Sequence, residues 1–209
     1  MMMLFDKTMK EFVEQTASSS PTPGGGSVAA FEAASAAALI SMVANLTIGK
    51  SGYEEVQEEM KKVIDKTEEY RTKFLDLMHR DASSFDEAME AFRLPKETEE
   101  QKQYRSQKIQ EGYQHATVVP FEVGKTVYEL FDLAELVIEK GNQNAVTDGL
   151  IAVLQSRTAL HSAFYNVKIN LSQIKDSDFV ESMRKEMATL EQQANRREEE
   201  IRAKVSFLY

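Results

Sequence analysis

One uninterrupted segment of about forty residues constrains the fold of this chain more than any other feature. From Tyr53 to Phe92 the sequence contains neither glycine nor proline, and apolar residues recur at spacings of three and four that alternate almost throughout. This spacing places them on one face of a single long helix. The members of the stripe are Val56, Met60, Val63, Thr67, Tyr70, Phe74, Met78, Asp81, Phe85, Ala88 and Phe92. Only one of them, Asp81, is charged.

The remainder of the chain also favours helix. Its 209 residues include only 9 Gly and 4 Pro, and Ala, Glu, Lys, Gln and Met dominate, all of them good helix formers. Glycine or proline breaks predict helices over residues 4–13, 27–48, 53–92, 97–141, 144–174 and 178 to the C-terminus, with Pro120 as a kink or restart. We therefore predict one all-α domain over residues 1–209, a bundle of about six helices including long ones.

Charge and composition exclude several classes of function. A net charge of −9 argues against wrapping a nucleic-acid backbone, which needs clustered Lys and Arg. The absence of Cys excludes disulfides, thiolate catalysis and metal–thiolate sites. The N-terminus lacks the pattern of a signal peptide, and no run of 18 apolar residues follows. We expect a cytoplasmic protein with no nucleic-acid or membrane partner.

Asp81 stands against the pattern of its own stripe. Its neighbours on that face are apolar, and burial disfavours an ionised carboxylate, so the pKa of Asp81 should rise toward neutrality. Proton transfer works best in that range. The alternative is structural, since a buried Asp commonly pairs with a Lys or Arg of another helix or caps a helix end. The stripe alone does not separate these two interpretations.

A run of three glycines, Gly24, Gly25 and Gly26, is followed by Ser27 and a helix rich in Ala and Ser. Backbone N–H groups at such a helix start can face a ligand that no bulky side chain screens. A flexible connection with Ser27 as the N-cap is the alternative. The first interpretation makes all four residues candidates for substrate binding.

Asn166 and Asn170 lie four residues apart, on the same helix face as Ala159 and Ala163. Two amides beside two small side chains resemble a polar recess, and amides pair well with the donor and acceptor edge of a pterin or purine. Hydrogen bonds between helices in the bundle core would explain the same pair.

Two further pairs are weaker candidates for substrate binding. Asn144 and Asp148 repeat the four-residue spacing at the start of the fifth long segment, where helix capping would also explain them. Arg93 and Lys96 flank the Leu94–Pro95 stop, where two cations can seat an anionic tail or form a solvated charge pair. The paired Glu-x-x-His motifs of a di-iron bundle are absent, so we predict no metal site.

Several separate segments together resemble the formiminotransferase-cyclodeaminase family, in its cyclodeaminase domain and in free-standing methenyltetrahydrofolate cyclohydrolases. These segments are PTPGGGSVAA from residue 21, SMVANLT from 41, DASSFDEAMEAFRLPK from 81, VVPFEV from 118, GNQNAVTD from 141 and AFYNVKINL from 163. The resemblance covers essentially the whole chain.

The resemblance implies a helical homodimer with a cleft near the subunit interface and an aspartate, here Asp81, as catalytic acid or base. It also implies substrate binding by the glycine loop and by Asn166 and Asn170, and less strongly by Lys96, Asn144 and Asp148. No cofactor is expected, because a tetrahydrofolate derivative is itself the substrate.

We expect no formiminotransferase domain, because the resemblance is to the cyclodeaminase part of the family alone, and two reactions are left open. One cyclises 5-formiminotetrahydrofolate to the 5,10-methenyl form with release of ammonia. The other hydrolyses 5,10-methenyltetrahydrofolate to 10-formyltetrahydrofolate. The alternative from another class is a non-catalytic helical module that binds a ligand or a partner.

Overall fold

The structure, a computed structural model, describes residues 3–206, and every regular element in that range is helical. The α-helices are α1 (Met9–Thr16), α2 (Gly25–Asn45), α3 (Gln57–Ala91), α4 (Glu99–Tyr128), α5 (Leu130–Lys140), α6 (Val146–Leu171) and α7 (Ser177–Ala203). Short 3₁₀ turns span Leu4–Asp6, Glu54–Val56 and Gln143–Ala145. The all-α prediction is confirmed.

The predicted helix bounds differ from the structure at two instructive places. Pro120 neither ends nor restarts a helix but lies buried inside α4, and the break comes at Glu129, between α4 and α5. Helix α2 begins at Gly25, with Gly24 as its N-cap, so Ser27 is not a cap. The predicted glycine stop is confirmed, since α5 ends at Lys140 with Gly141 as the C-cap.

Helix α2 is the centre of the bundle and packs against both α3 and α6. Its inward positions carry small side chains that allow close approach of neighbouring helices, and six alanines there are fully buried: Ala29, Ala30, Ala33, Ala36, Ala37 and Ala44. By length and composition alone α2 could cross a membrane, with a mean hydropathy of 1.7, yet 61% of the same window is buried inside the protein. Core helices commonly show this combination.

The long helices run antiparallel to their neighbours. The start of α2 meets the last third of α3, where Ser27 contacts Asp81. The same end of α2 meets the end of α6, where Gly25 approaches Asn166. Helix α4 returns alongside α3 and α6, and its Ala116 carbonyl accepts a hydrogen bond from α6. Four helices therefore converge at one end of the bundle.

Helix α7 lies outside this bundle and is joined to it by ion pairs and by an apolar seam. Arg197 contacts Asp132 at 2.7 Å and Glu135 at 2.8 Å, both on α5. Toward α6, Glu191 pairs with Lys168 at 2.6 Å. Met187, Ala194 and Ile201 are its buried apolar side chains. The helix thus covers α5 and α6 with a narrow apolar seam between charged edges.

Candidate active site

Asp81 lies at the convergence of the four helices, against the first turn of α2. The Ser27 hydroxyl donates a hydrogen bond of 2.9 Å to its Oδ2. A Cβ atom at Gly26 would lie 2.2 Å from Oδ1, closer than any non-bonded contact allows. Gly26 is therefore required for its lack of a side chain, which lets the carboxylate rest against the α2 backbone.

The environment of Asp81 raises its pKa, as the stripe predicts. Burial is the main cause, and the hydroxyl and backbone N–H of Ser27 partly oppose it by hydrogen bonding to the charged form. Among the described residues no cation contributes to this balance. The first structural alternative, a carboxylate neutralised by Lys or Arg, is therefore wrong among the described residues. The second, capping of a helix end, describes the bond from the Ser27 N–H, which belongs to the first turn of α2.

A recess of about 170 Å³ opens in front of Asp81. Helices α2, α3, α4 and α6 and the loop before α2 form its walls, which contain both polar and apolar groups. Its lining residues are Pro21, Thr22, Gly24, Gly25, Gly26, Asp81, Ser84, Phe85, Ala116, Asn166, Ile169 and Asn170. Three separate predictions, the glycine run, the aspartate and the amide pair, thus meet at one site.

The two amides are half-buried and only partly used by the protein. Asn166 Nδ2 donates to the Ser162 carbonyl at 2.9 Å, and Asn170 Nδ2 donates to the Ala116 carbonyl at 2.9 Å. The second bond joins α6 to α4, which is the core role that the alternative interpretation predicted. Both side chains nevertheless line the recess, where their oxygens can accept hydrogen bonds from a ligand.

Gly25 serves the same wall as Gly26 but with more tolerance. A Cβ there would lie 3.1 Å from Asn166 Nδ2, a contact that a small shift of the amide relieves. At Gly24 the nearest atom would be the Pro21 carbonyl oxygen, at 3.2 Å. The three glycines therefore let the α2 backbone lie close to the Asp81 carboxylate and the Asn166 amide. The requirement for glycine is strictest at Gly26.

The other four candidates lie away from the recess. Arg93 and Lys96 are exposed beyond the end of α3, and Arg93 is about 18 Å along the helix from Asp81. Asn144 is exposed and Asp148 half-buried at the far end of α6, about 27 Å along it from Asn166. The structure does not bring these four side chains to the Asp81 of their own chain.

Several residues that line the recess were not predicted from the sequence. Ser84 and Phe85 follow Asp81 by three and four residues, so helical spacing could have identified them. Ala116 and Ile169 carry no signal of function in the sequence. Among residues 3–206 no group of three or more His, Asp or Glu is arranged to hold a metal ion.

Comparisons with known proteins are consistent with this geometry. The sequence profile of the family described as Formiminotransferase-cyclodeaminase matches residues 8–189. A methenyltetrahydrofolate cyclohydrolase from Methylorubrum extorquens is 43% identical over 196 residues, 94% of each chain. A formimidoyltransferase-cyclodeaminase from Rattus norvegicus is 33% identical over 191 residues, which are 91% of this chain and 35% of the rat protein.

A solved structure shares the fold. The crystal structure of formiminotetrahydrofolate cyclodeaminase from Thermotoga maritima superposes with a TM-score of 0.85 at 32% sequence identity, covering 96% of each chain. The relatives therefore include proteins named for each of the two reactions.

Proposed function

The chain belongs to the formiminotransferase-cyclodeaminase family and is a folate one-carbon enzyme of the cyclodeaminase or cyclohydrolase type, and we propose that it hydrolyses 5,10-methenyltetrahydrofolate to 10-formyltetrahydrofolate. The contact of Asp81 with Ser27 and Gly26 supports this proposal best. The relative named as a cyclohydrolase, similar over 94% of both chains, favours hydrolysis over deamination. We propose the cytoplasm as its location and no bound cofactor.

Asp81 is the general base and acid of the proposed reaction. Its ionised carboxylate accepts a proton from water as the water oxygen bonds to the methenyl carbon, and that proton passes to solvent. The bond from this carbon to N5 then breaks, and Asp81 carries the hydroxyl proton to N5. N10 keeps the formyl group, so one proton is released for each water consumed.

Ser27 and Gly26 position the carboxylate for these steps. The Ser27 hydroxyl holds Oδ2 and the Ser27 backbone N–H also bonds the carboxylate, so the orientation in which Asp81 meets water is fixed. The oxygens of Asn166 and Asn170 accept hydrogen bonds from the pterin ring or its substituents. Because both reacting groups are held in place, much of the rate comes from orientation.

Cyclisation of 5-formiminotetrahydrofolate is the second candidate, favoured by the similarity to the Thermotoga maritima protein. N10 would bond to the formimino carbon, Asp81 would move the N10 proton to the departing nitrogen, and ammonia would leave. The same carboxylate and the same amides serve both reactions. The substrate therefore distinguishes them, and the catalytic residue does not.

Replacement of Asp81 tests the proposal directly. Asp81→Asn keeps the shape and the contact with Gly26 but cannot take a proton, so turnover should fall by about a thousandfold. Purified protein is mixed with methenyl- or formiminotetrahydrofolate, and the near-ultraviolet absorbance of the methenyl form is followed. Loss of this band with the first substrate indicates hydrolysis, and its appearance with the second indicates cyclisation.

The folding of Asp81→Asn supplies the control. A carboxyl whose pKa is raised in the folded protein destabilises that protein as pH rises through its pKa. The amide removes this effect, so the variant should unfold at no lower urea concentration than the parent at pH 7. An active Asp81→Asn protein would exclude Asp81 from the chemistry, and a parent inactive on both folates would refute the function.

A further inference from the structure

A second cavity, of about 600 Å³, lies where the Leu4–Asp6 turn and α1 pack against α2 and α3. This N-terminal cavity shares no lining residue with the recess at Asp81. Apolar side chains form most of its wall, among them Met78 and the neighbouring rings of Phe12 and Phe31, whose centres are 5.7 Å apart. Typical pockets for small molecules measure roughly 300–1,000 Å³ and are mostly apolar. The N-terminal cavity therefore has the size and the wall of a ligand site.

One carboxyl group, that of Glu32 on α2, belongs to this apolar wall. Its Oε2 atom is buried and has no hydrogen-bond partner among the described residues. Burial raises the pKa of this carboxyl, because an ionised group loses its hydration there. A buried acceptor without a donor costs free energy. Glu32 is therefore a polar group of the cavity that the described chain leaves unsatisfied.

The other polar side chains of the cavity already have partners of their own. Lys7 and Thr16 line the cavity together with Glu32. The ammonium group of Lys7 donates to the side-chain oxygen of Gln15. The Thr16 hydroxyl donates its one hydrogen to the Phe12 carbonyl, at 2.9 Å. The donor that Glu32 lacks is therefore not supplied by the wall of the cavity.

A comparison with Asp81 indicates what kind of donor would suit Glu32. Burial raises the pKa of both carboxyls, but Asp81 accepts hydrogen bonds from Ser27 that stabilise its ionised form. A positively charged donor would stabilise Glu32 most, because a charge-assisted hydrogen bond is about twice as strong as a neutral one. The net charge of −9 also favours a cation over an anion. The ligand that fits is therefore apolar with one ammonium group.

The cavity is open to solvent along the N-terminal segment. Phe5, Met9 and Val13 line it and are 40%, 68% and 61% exposed. A molecule can therefore enter past these three side chains and reach Glu32. Its hydrocarbon part would cover them, and removing apolar surface from water favours binding. Entry and affinity thus depend on the same exposed apolar side chains.

We propose that the N-terminal cavity binds a small apolar primary amine, whose ammonium group donates to Glu32 Oε2 and whose hydrocarbon body lies among the apolar side chains of α1, α2 and α3. This site is additional to the recess and does not depend on the proposed function. The two sites are neighbours, since Val28 follows Ser27 and Met78 precedes Asp81 by about one helical turn. A bound amine therefore contacts both helices that meet at Asp81.

Three compounds with different end groups test the site in the full chain. Phenylbutylamine is a cation, phenylbutanol is neutral and phenylbutyrate is an anion. NMR signals of isotope-labelled methionine methyl groups locate binding, because Met9 and Met78 line the cavity and Met187 is buried on α7. The amine should shift the first two signals and bind about tenfold more tightly than the alcohol, with the anion weakest. Equal affinities would overturn the proposal, as would signals that respond to dilution of the protein and not to the amine, which would make a second copy the occupant.

Four variants assign the binding to Glu32. Glu32→Gln keeps the shape but not the charge, so it should weaken amine binding about tenfold and leave the affinity for the alcohol nearly unchanged. Glu14→Gln, at an exposed position of α1 outside the cavity, and Asp81→Asn, in the recess, should both bind the amine like the parent. Ala17→Trp, at an exposed position that lines the cavity, should fill it and weaken the binding of both compounds. Unchanged amine affinity in Glu32→Gln, or its loss in Asp81→Asn, would overturn the proposal.

Discussion

Helices α2 and α7 both lie alongside α6, yet they are attached to it by different physical means. Fully buried alanines hold α2 at close range. Charged side chains flank the apolar seam of α7, where Glu191 pairs with Lys168 of α6 and Arg197 pairs with α5. Packing of the first kind fails when a single methyl group is added, whereas ion pairs at a surface adapt or are replaced by water. The Asp81 carboxylate, which we propose as the catalytic group, rests on the more tightly packed of these two helices.

The largest effect expected from this comparison of helices is at the first turn of α2. Gly26→Ala would place a methyl group 2.2 Å from Asp81 Oδ1, so the carboxylate or α2 must move, and turnover should fall by about a hundredfold or more. Gly25→Ala is the matched control, because its methyl group meets only the Asn166 amide, at 3.1 Å. Steady-state rates of both variants measure the difference. Equal losses would show that the contact with Asp81 is not what requires glycine.

The second largest effect is expected when the same Ala→Leu substitution is made in α2 and in α7. Ala33→Leu adds three carbon atoms at a fully buried position of α2 and should lower the free energy of unfolding by about 3 kcal/mol. Ala188→Leu makes the same change at an exposed position of α7 and should alter it by less than about 0.5 kcal/mol. Urea denaturation measures both. A similar loss in the free energy of unfolding at both positions would show that α2 and α7 do not differ in how tightly they are packed.

The ion pairs of α7 should have a smaller effect that depends on salt. Arg197→Met removes the contacts with Asp132 and Glu135 and should lower the free energy of unfolding by about 1 kcal/mol in dilute buffer. This difference should shrink in 1 M salt, where surface charges are screened. Denaturation of parent and variant at both salt concentrations measures it. A cost unchanged by salt would assign the role of Arg197 to packing.

The mildest change is at Ser27. Its hydroxyl stabilises the ionised form of Asp81, so Ser27→Ala should raise the pKa of Asp81 further above its ordinary value. A general base acts ionised, and the acid limb of the kcat/KM profile should therefore move to higher pH. Thr22→Val, which also lines the recess but has no hydrogen bond to Asp81, is a control expected to leave the limb in place. If the acid limb moved equally in both variants, the ionisation behind it would not be that of Asp81.

The sequence was sufficient for features that depend on periodicity. The stripe around Asp81 predicts both a long helix and a raised pKa, and the structure shows both. The contact between Ser27 and Asp81 could not be predicted in this way, because 54 residues separate them and their meeting depends on how α2 packs against α3. Local pattern identifies a face of a helix, while tertiary packing decides what that face meets.

Pro120 is a second position at which tertiary packing decides the structure, here against a local sequence rule. Proline disfavours a helix interior by its ring and its missing N–H, and this local rule predicts a kink or restart. In the structure Pro120 is buried within α4 beside Phe121, which stacks on Phe164 of α6. Packing of that segment between its neighbours outweighs the local preference, and the break falls nine residues later, at Glu129.

The recess is built from segments that lie far apart along the chain: its walls come from residues 21–26, 81–85, 116 and 166–170. No early folding unit, such as the α2–α3 hairpin alone, contains all of them. Catalysis should therefore return only with the final docking step of refolding, later than helical circular dichroism. In this protein, the time at which activity returns should report when the recess is fully assembled.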